Sequence, residues 1–190
     1  MKIFGIDPGS ARTGFGCVER VGSRHTLVVC GSLSGPPRAT FPDKLKAIHA
    51  GLAALLAEHR PDAVAIEDVF VLRGASRGHA SNARSALKLG EARGIALLAA
   101  AEAGVPVTAY APAAIKRAVV GYGRAEKHQV QQMVKLLLGL DQAPSPHDVA
   151  DALAVALCHL QSASGTLAEH LTEQPRPRLS TLRSWRDYRP

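Results

Sequence analysis

Four carboxylates occupy positions where burial of a charged side chain costs free energy. Asp7 ends the apolar run KIFGID, and Glu67 ends the apolar run AVAIE. Asp148 and Asp151 lie in SPHDVADALAVALCHL, which is apolar nearly all round and therefore predicts a buried helix. Carboxylates in such surroundings lose their hydration, so each one needs a partner.

Ordinary structural partners could satisfy three of these acids. A salt bridge, or backbone N–H groups in the following turn, would account for Asp7 or Glu67. Ser145, Pro146 and Asp148 resemble an N-cap, an N1 proline and a capping-box acid. No such pattern accounts for Asp151, which lies one turn further along the same helical face as Asp148.

One kind of ligand would satisfy all four acids together. A hard divalent cation with oxygen ligands, Mg²⁺ or Mn²⁺, suits a site built from carboxylates. Two such ions about 3.5–4 Å apart can activate a water molecule and stabilise the leaving oxygen of a phosphodiester. His147 is a candidate extra ligand or proton carrier, although a solvated histidine at a helix start is the more ordinary interpretation.

The glycines after Asp7 raise a second interpretation, a nucleotide-phosphate loop. Gly9 and Gly14 match the spacing of a Walker A motif, but Phe15 and Gly16 occupy the positions that require Lys and Ser or Thr. An actin-like ATPase places a similar glycine turn after its first strand, but it needs two such domains, which 190 residues cannot supply. The glycines therefore favour a tight hairpin beside Asp7.

The elements that must position these residues follow from the hydrophobic pattern. Strands are predicted at 2–7, 13–20, 26–33, 63–67 and 105–110, and helices at 43–59, 85–103, 112–119, 126–138 and 147–161. This order predicts an α/β fold with a mixed five-stranded sheet flanked by helices on both faces. We expect one domain over 1–161 and a basic, flexible tail over 162–190.

Composition narrows the class of partner. The formal net charge is +7 and the sequence pI is about 9.7, which favours an anionic partner, with nucleic acid first and a membrane surface second. On charge alone, a merely solvated basic surface is an equally good interpretation. The three cysteines have no zinc or redox spacing. No signal peptide and no apolar run of roughly 18 residues is present, so we expect a cytoplasmic protein without a membrane partner.

Five motifs taken in order give the chain a family resemblance. GIDPGSARTGFG, AIEDVF, SALKLGEARG, VVGYGRAEKHQVQQMV and DVADALAVA together resemble the bacterial RuvC Holliday-junction endonucleases over roughly residues 1–161. The resemblance implies an RNase H-like fold and a homodimer that nicks four-way DNA junctions symmetrically with Mg²⁺ or Mn²⁺, two ions per site. It also implies ligatable nicks and a branch-migration helicase complex as partner.

The resemblance also assigns roles by position. The catalytic, metal-binding acids of the family fall on the four carboxylates above, Asp7, Glu67, Asp148 and Asp151. Its junction-stacking aromatic falls on Phe70, for which a core position is the alternative, and its two functional lysines fall on Lys116 and Lys127. Phosphate contact by these lysines would also explain part of the positive charge.

Two features remain open at the sequence level. The predicted loop over 71–84 is longer than is usual in the family, and we expect Arg73 and Arg77 in it to add DNA contacts. Gly90 and Gly94 lie inside a predicted helix, where each costs about 1 kcal/mol relative to Ala. Either close packing on the sheet or a homodimer contact would explain them. Two alternative functions remain: a non-catalytic junction-binding protein, and an actin-like ATPase fragment that would bind ATP and not junctions.

Overall fold

The computed structural model describes residues 1–68 and 80–163, the first four of the second range by their backbone alone. The predicted strands and helices all occur. They are β1 (Lys2–Asp7), β2 (Thr13–Val21), β3 (Arg24–Leu33), α1 (Phe41–His59), β4 (Ala63–Glu67), α2 (Ala80–Glu102), β5 (Val107–Tyr110), α3 (Pro112–Val120), α4 (Lys127–Leu138) and α5 (His147–Gln161).

The strands form one five-stranded sheet in the order β3-β2-β1-β4-β5. The first three strands pair antiparallel because short turns connect them. Strand β4 pairs parallel to β1, and β5 pairs parallel to β4, since a helix precedes each of these strands and carries the chain back. The predicted mixed five-stranded sheet is therefore confirmed.

The sheet separates two hydrophobic cores, which confirms helices on both faces. Phe4 and Ile6 of β1 pack with apolar residues of α1 and α2 on one face. Ile3 lies on the opposite face, in the core that α3, α4 and α5 cover. Since successive side chains of a strand alternate, Gly5 and Asp7 belong to this second face.

Helix α2 begins earlier than its composition suggests. It starts at Ala80, so the predicted loop over 71–84 is wrong for residues 80–84. Alanines at 80 and 83 are strong helix formers, and they outweigh the Arg and Asn that gave the segment a loop-like composition. Residues 71–79 of the predicted loop lie outside the described residues.

The predicted cap of α5 is also wrong. The helix begins at His147, and Pro146 occupies the N-cap position without a side-chain cap hydrogen bond. Proline has no side-chain oxygen that could accept from the first turn, so a capping box does not form. Asp148 is therefore not explained by helix capping.

The two glycines of α2 do not pack against the sheet. A Cβ atom placed on Gly90 or on Gly94 would meet no atom of the described residues within 4 Å, apart from its own helical backbone. The buried residues in the described part of α2 are Ala92, Ala96, Ala99 and Ala100. Close packing on the sheet, or on any other described residue, thus does not explain these glycines. Across the described ranges, no helix is long and apolar enough to span a membrane.

Candidate active site

Asp7 and Glu67 end neighbouring parallel strands at the same edge of the sheet. The register of β1 and β4 pairs Ile6 with Ile66, one residue before each acid. Ala65 lies in the core beneath α5, and alternation along the strand places Glu67 on that same face. Both acids therefore leave the sheet toward the first turn of α5.

Helix α5 packs so closely on β1 and β2 that only glycine fits at the points of contact. A Cβ on Gly5 would overlap the main-chain oxygen of Ala152, and a Cβ on Gly14 would overlap that of Asp148. These are backbone atoms, which cannot rotate away from a collision. Since Gly14 pairs with Asp7 across β1 and β2, this packing brings Asp148 beside Asp7.

The glycine-rich segment is only partly the tight hairpin that its sequence predicts. Gly9 lies in the turn, where a Cβ would overlap the main-chain oxygen of Arg12. The turn is closed by Thr13, which is fully buried and donates from its hydroxyl to the main-chain oxygen of Gly9 at 3.3 Å. Gly14 and Gly16 lie within β2 instead, where they make room for α5.

The four acids lie close enough together for the other three to act on Asp7. Burial raises the pKa of Asp7 from its ordinary 3.8 to about 8, and three further carboxylates add to the rise: Glu67, Asp151 and Asp148. Burial, then the charge of Asp151, also raises the pKa of Glu67. Neighbouring like charges with little water are characteristic of functional sites. The structure thus brings all four predicted acids together.

Lys127 supplies positive charge to this cluster. It is the first residue of α4, and its Nζ donates to Oδ2 of Asp151 at 3.0 Å. The hydrogen bond and the charge of Asp151 raise the pKa of the lysine. The Lys127 side chain is 67% exposed, whereas that of Asp151 is 19% exposed. The ammonium group therefore lies at the entrance and the carboxylate inside.

Lys116 lines the same cleft as Lys127 and Asp151. The cleft has a volume of about 220 Å³, and its polar lining is Glu67, Asp151, Lys116 and Lys127, with Pro112, Ile115 and Val130 as the apolar remainder. The charges of both lysines lower the pKa of Glu67 and so oppose its burial. The structure therefore brings the predicted lysines to the acids.

The donor atoms suit a hard divalent cation, since carboxylate oxygens are the ligands that Mg²⁺ and Mn²⁺ prefer. Their side chains do not converge on a single point, however. Over residues 1–68 and 80–163, no three His, Cys, Asp or Glu side chains are placed to hold a metal ion. Asp151 is instead engaged by Lys127. The site fits such a cation by chemistry and by charge.

Other predicted site residues are not in the cluster. Phe70, Arg73 and Arg77 lie outside the described residues. His147 is exposed at the first residue of α5, and no contact assigns it a role.

One pair beside the site is not apparent from the sequence pattern. Asp68, the residue after Glu67, forms an ion pair with Arg93 of α2 at 3.2 Å, and its main-chain N–H donates to the oxygen of Tyr110 at 2.8 Å. These contacts fix the end of β4 to both α2 and β5. The sequence signals this ion pair only by an acid directly after a buried strand and an arginine in a half-apolar helix.

Comparison with known proteins decides the family. A family model described as RuvC, crossover junction endodeoxyribonuclease, matches residues 3–159. The chain belongs to the RuvC family. It is accordingly an endodeoxyribonuclease of the crossover-junction class, and the resemblance carried by the five sequence motifs is confirmed.

Individual RuvC relatives agree with this assignment. A crossover junction endodeoxyribonuclease RuvC of Trichlorobacter lovleyi is 47% identical over 193 residues, which covers 100% of both chains. The structure of Thermus thermophilus RuvC in complex with a Holliday junction substrate is 37% identical, with a TM-score of 0.74, and covers 86% of this chain and 96% of that chain.

A distant resolvase supports the fold of this RuvC-family chain. The yeast mitochondrial Holliday junction resolvase is 12% identical and has a TM-score of 0.55, with 85% of this chain and 80% of that chain covered. Similarity at this identity concerns the fold alone. Together with the RuvC structure, it confirms the expected RNase H-like class.

Proposed function

We propose that this chain resolves four-way DNA junctions by paired hydrolysis of two phosphodiester bonds, with Asp7, Glu67, Asp148 and Asp151 as its catalytic acids. One observation carries the residue assignment. Four acids from three separate elements lie close together, and burial, then the charges of Glu67, Asp151 and Asp148, raises the pKa of Asp7 to about 8. A stable protein gains nothing from holding unpaired like charges together, so a function is the better explanation.

The four acids would hold one or two Mg²⁺ or Mn²⁺ ions. Such an ion supplies positive charge opposite the phosphate and lowers the pKa of water. The chain itself contributes the carboxylate oxygens, whose side chains can adopt other staggered rotamers to converge on a ligand. A cation would also replace the charge that Lys127 now presents to Asp151.

Lys127 and Lys116 would position the DNA backbone. Lys127 is largely exposed at the entrance of the cleft, so its ammonium group can donate to a phosphate oxygen arriving from solvent. Lys116 lines the same cleft, and together they would hold the scissile phosphate between them. Phosphate contacts of this kind fix the register of the substrate. Phe70 is proposed as a further DNA contact on the family resemblance alone, and Arg73 and Arg77 because they add positive charge to a segment that is longer than is usual in the family.

A homodimer is proposed because of an unpartnered stripe on α2. Leu87 is 69% exposed and Leu98 is 47% exposed. Gly90 and Gly94 lie between them at helical spacing, with no atom of the protomer near the position of a Cβ. A second copy packed here would place two active sites about a two-fold axis, as paired nicks require. Family membership also supports a branch-migration helicase complex as partner, and work on chromosomal DNA supports a cytoplasmic location.

The decisive experiment is Asp7→Asn assayed on a labelled four-way junction with Mg²⁺ and with Mn²⁺. We expect junction binding to persist and cutting to fall by more than about 100-fold, the scale that follows even from disturbing the surroundings of a metal ligand. Asp141→Asn, in an exposed turn, is the matched control and should cut like the parent chain.

Two outcomes would contradict the proposal. Unchanged cutting by Asp7→Asn would remove this acid from the mechanism. A parent chain that binds junctions but cuts none of them with either metal would favour the non-catalytic junction-binding alternative.

A further inference from the structure

The connection between α3 and α4 presents one exposed aromatic ring. Tyr122 is 47% exposed. The other aromatic residues in the described part of the chain are buried or half-buried: Phe4, Phe15, Phe41 and Tyr110. An exposed ring contributes little to the core, so its presence at the surface calls for another explanation.

The Tyr122 ring is held in place. Its hydroxyl donates to Oε1 of Gln129 at 2.8 Å, and the same oxygen accepts from the main-chain N–H of Glu126 at 2.8 Å. Gly121, in the left-handed region at φ 95°, and Gly123 flank the tyrosine and add no side chain beside it. Tyr122 is therefore a braced, 47% exposed ring, and the brace lowers the entropy lost on stacking.

The brace places Tyr122 at the end of α4 that begins with Lys127. Gln129 lies in the first turn of α4, two residues after Lys127, and a helix rises about 1.5 Å per residue. Lys127 in turn contacts Asp151 at 3.0 Å. The hydroxyl of Tyr122 is thus anchored at the same end of α4 as Lys127, although side chains two positions apart point to different sides of the helix.

The charge around Tyr122 is positive. Arg117 and Arg124 are exposed on either side of it in the chain, and Lys127 follows. Glu126 is the one acid between Lys116 and Lys135, and Nδ1 of His128 lies 3.3 Å from its carboxylate. A braced aromatic ring among cations has the composition of a single-stranded nucleic-acid contact. An acidic or apolar protein partner would not require a planar ring whose orientation is fixed by a hydrogen bond.

We propose that Tyr122 stacks on an unpaired or partly unstacked nucleobase of the junction, close to the strand that is cut. This inference rests on the proposed function, and it adds a second aromatic contact to the one that the family resemblance assigns to Phe70. The cations beside the ring hold the phosphates, and the ring holds the base.

Two substitutions of Tyr122 separate stacking from bracing. Tyr122→Leu keeps apolar volume but removes the planar ring, whereas Tyr122→Phe keeps the ring and removes the hydrogen bond to Gln129. Both are made in an Asp7→Asn background in the full chain, so that binding is measured without cutting. The probe is a four-way junction carrying 2-aminopurine at single positions on either side of the cut, with affinity and fluorescence as readouts.

We expect Tyr122→Leu to weaken junction binding by roughly 5- to 150-fold, the range that corresponds to one lost base stack. It should also abolish the quenching of 2-aminopurine at one position. Tyr122→Phe should retain the quenching and most of the affinity. Thermal melting of each variant checks that the fold is intact.

Three results would overturn the inference. Tyr122→Leu could bind and quench like the parent. Both variants could lose affinity equally, which would make the hydroxyl brace the relevant feature. Loss of affinity without a change at any 2-aminopurine position would also contradict stacking. Cutting by the otherwise unmodified chain, assayed in parallel, reports on the proposed function separately, since that function can hold while the stacking fails.

Discussion

Two groups of glycines in this chain occupy opposite environments. Gly5 and Gly14, in β1 and β2, lie so close to α5 that a Cβ on either would overlap a main-chain oxygen. Gly90 and Gly94, in α2, lie where a Cβ would meet nothing outside their own helix. The first group is explained entirely within the protomer, and the second is not.

The difference indicates what each region is built for. The strand glycines bring the backbone of α5 against the sheet, and with it two acids against two others. The helix glycines lower the helix propensity of α2, and no described residue outside the helix packs against them. Close approach inside the chain makes the acidic cleft, whereas the described residues leave the helix glycines uncovered.

The largest expected effect comes from filling the strand group. Gly14→Ala places a methyl group against the main-chain oxygen of Asp148 and 3.0 Å from its Cβ. Overpacking of this kind costs about 1–3 kcal/mol or more, and it must displace the first turn of α5. We expect junction cutting to fall by more than about 100-fold, measured under single-turnover conditions. The melting temperature should fall by roughly 2–4 °C per kcal/mol.

Gly16→Ala is the matched control for this substitution. Its Cβ would meet the side-chain end of Leu153, with Cδ2 at 2.5 Å, and not a backbone atom of an acid. A leucine side chain can rotate, so stability should fall less and cutting should largely persist. Equal losses in the two variants would show that contact with Asp148 has no special importance.

An effect of intermediate size is expected on the pH dependence of stability, because the strand glycines bring the carboxylates close together. Because the folded-state pKa of Asp7 is raised from 3.8 to about 8, the folded chain binds more protons than the unfolded chain between these values. Stability from this group is therefore fully present below pH 3.8 and is lost as pH rises through 8. Between pH 6.5 and 8.5 we expect the metal-free protein to lose stability, with a slope of up to about 1.4 kcal/mol per pH unit.

Denaturant unfolding in a chelator at several pH values measures this slope. Asp7→Asn should flatten it and should be more stable than the parent at pH 8.5. The window avoids His159, whose burial lowers its pKa and so gives an opposite slope at lower pH. A parent chain whose stability does not change across the window would contradict the clustering of the acids.

The smallest effect comes from filling the helix group. Gly90→Ala and Gly94→Ala should each stabilise the dilute protomer by about 1 kcal/mol, because alanine is the better helix former and no atom obstructs it. If a second copy packs on this face, the same substitutions should weaken the dimer. Thermal melting at low concentration and sedimentation at micromolar concentration measure the two quantities.

Leu136→Ala is a control for the helix group, since Leu136 is 71% exposed on α4, away from this face. Destabilisation of the dilute protomer by Gly94→Ala would show that the chain itself covers this position. An unchanged dimer constant in both alanine variants would remove the proposed interface.

The acids could be found from the sequence because a carboxylate at the end of a buried strand is unusual by itself. Asp151 was the strongest signal, since no capping pattern accounts for an acid inside an apolar helix. The pattern misassigned Asp148, whose capping box depends on which residue begins the helix. Helix ends are decided by local geometry that composition does not record.

The packing of the site was harder to predict. Gly5 lies inside a buried strand, which signals the close approach of another backbone, but nothing in a strand pattern says which segment approaches. The pair of Asp68 and Arg93 joins residues from different elements and has no sequence spacing of its own. Contacts of this kind depend on tertiary structure, and periodicity describes one element at a time.

The position of α5 in the sheet topology has a consequence for the order of assembly. The last helix described packs on the first two strands. The site around Asp7 can therefore form only after Asp148 and Asp151 have been synthesised. A partly made chain holds Asp7 and Glu67 but has neither the acids of α5 nor the core beneath it. A chain in which α5 has not yet been synthesised therefore lacks two of the four acids. Such a chain cannot form the complete acidic site.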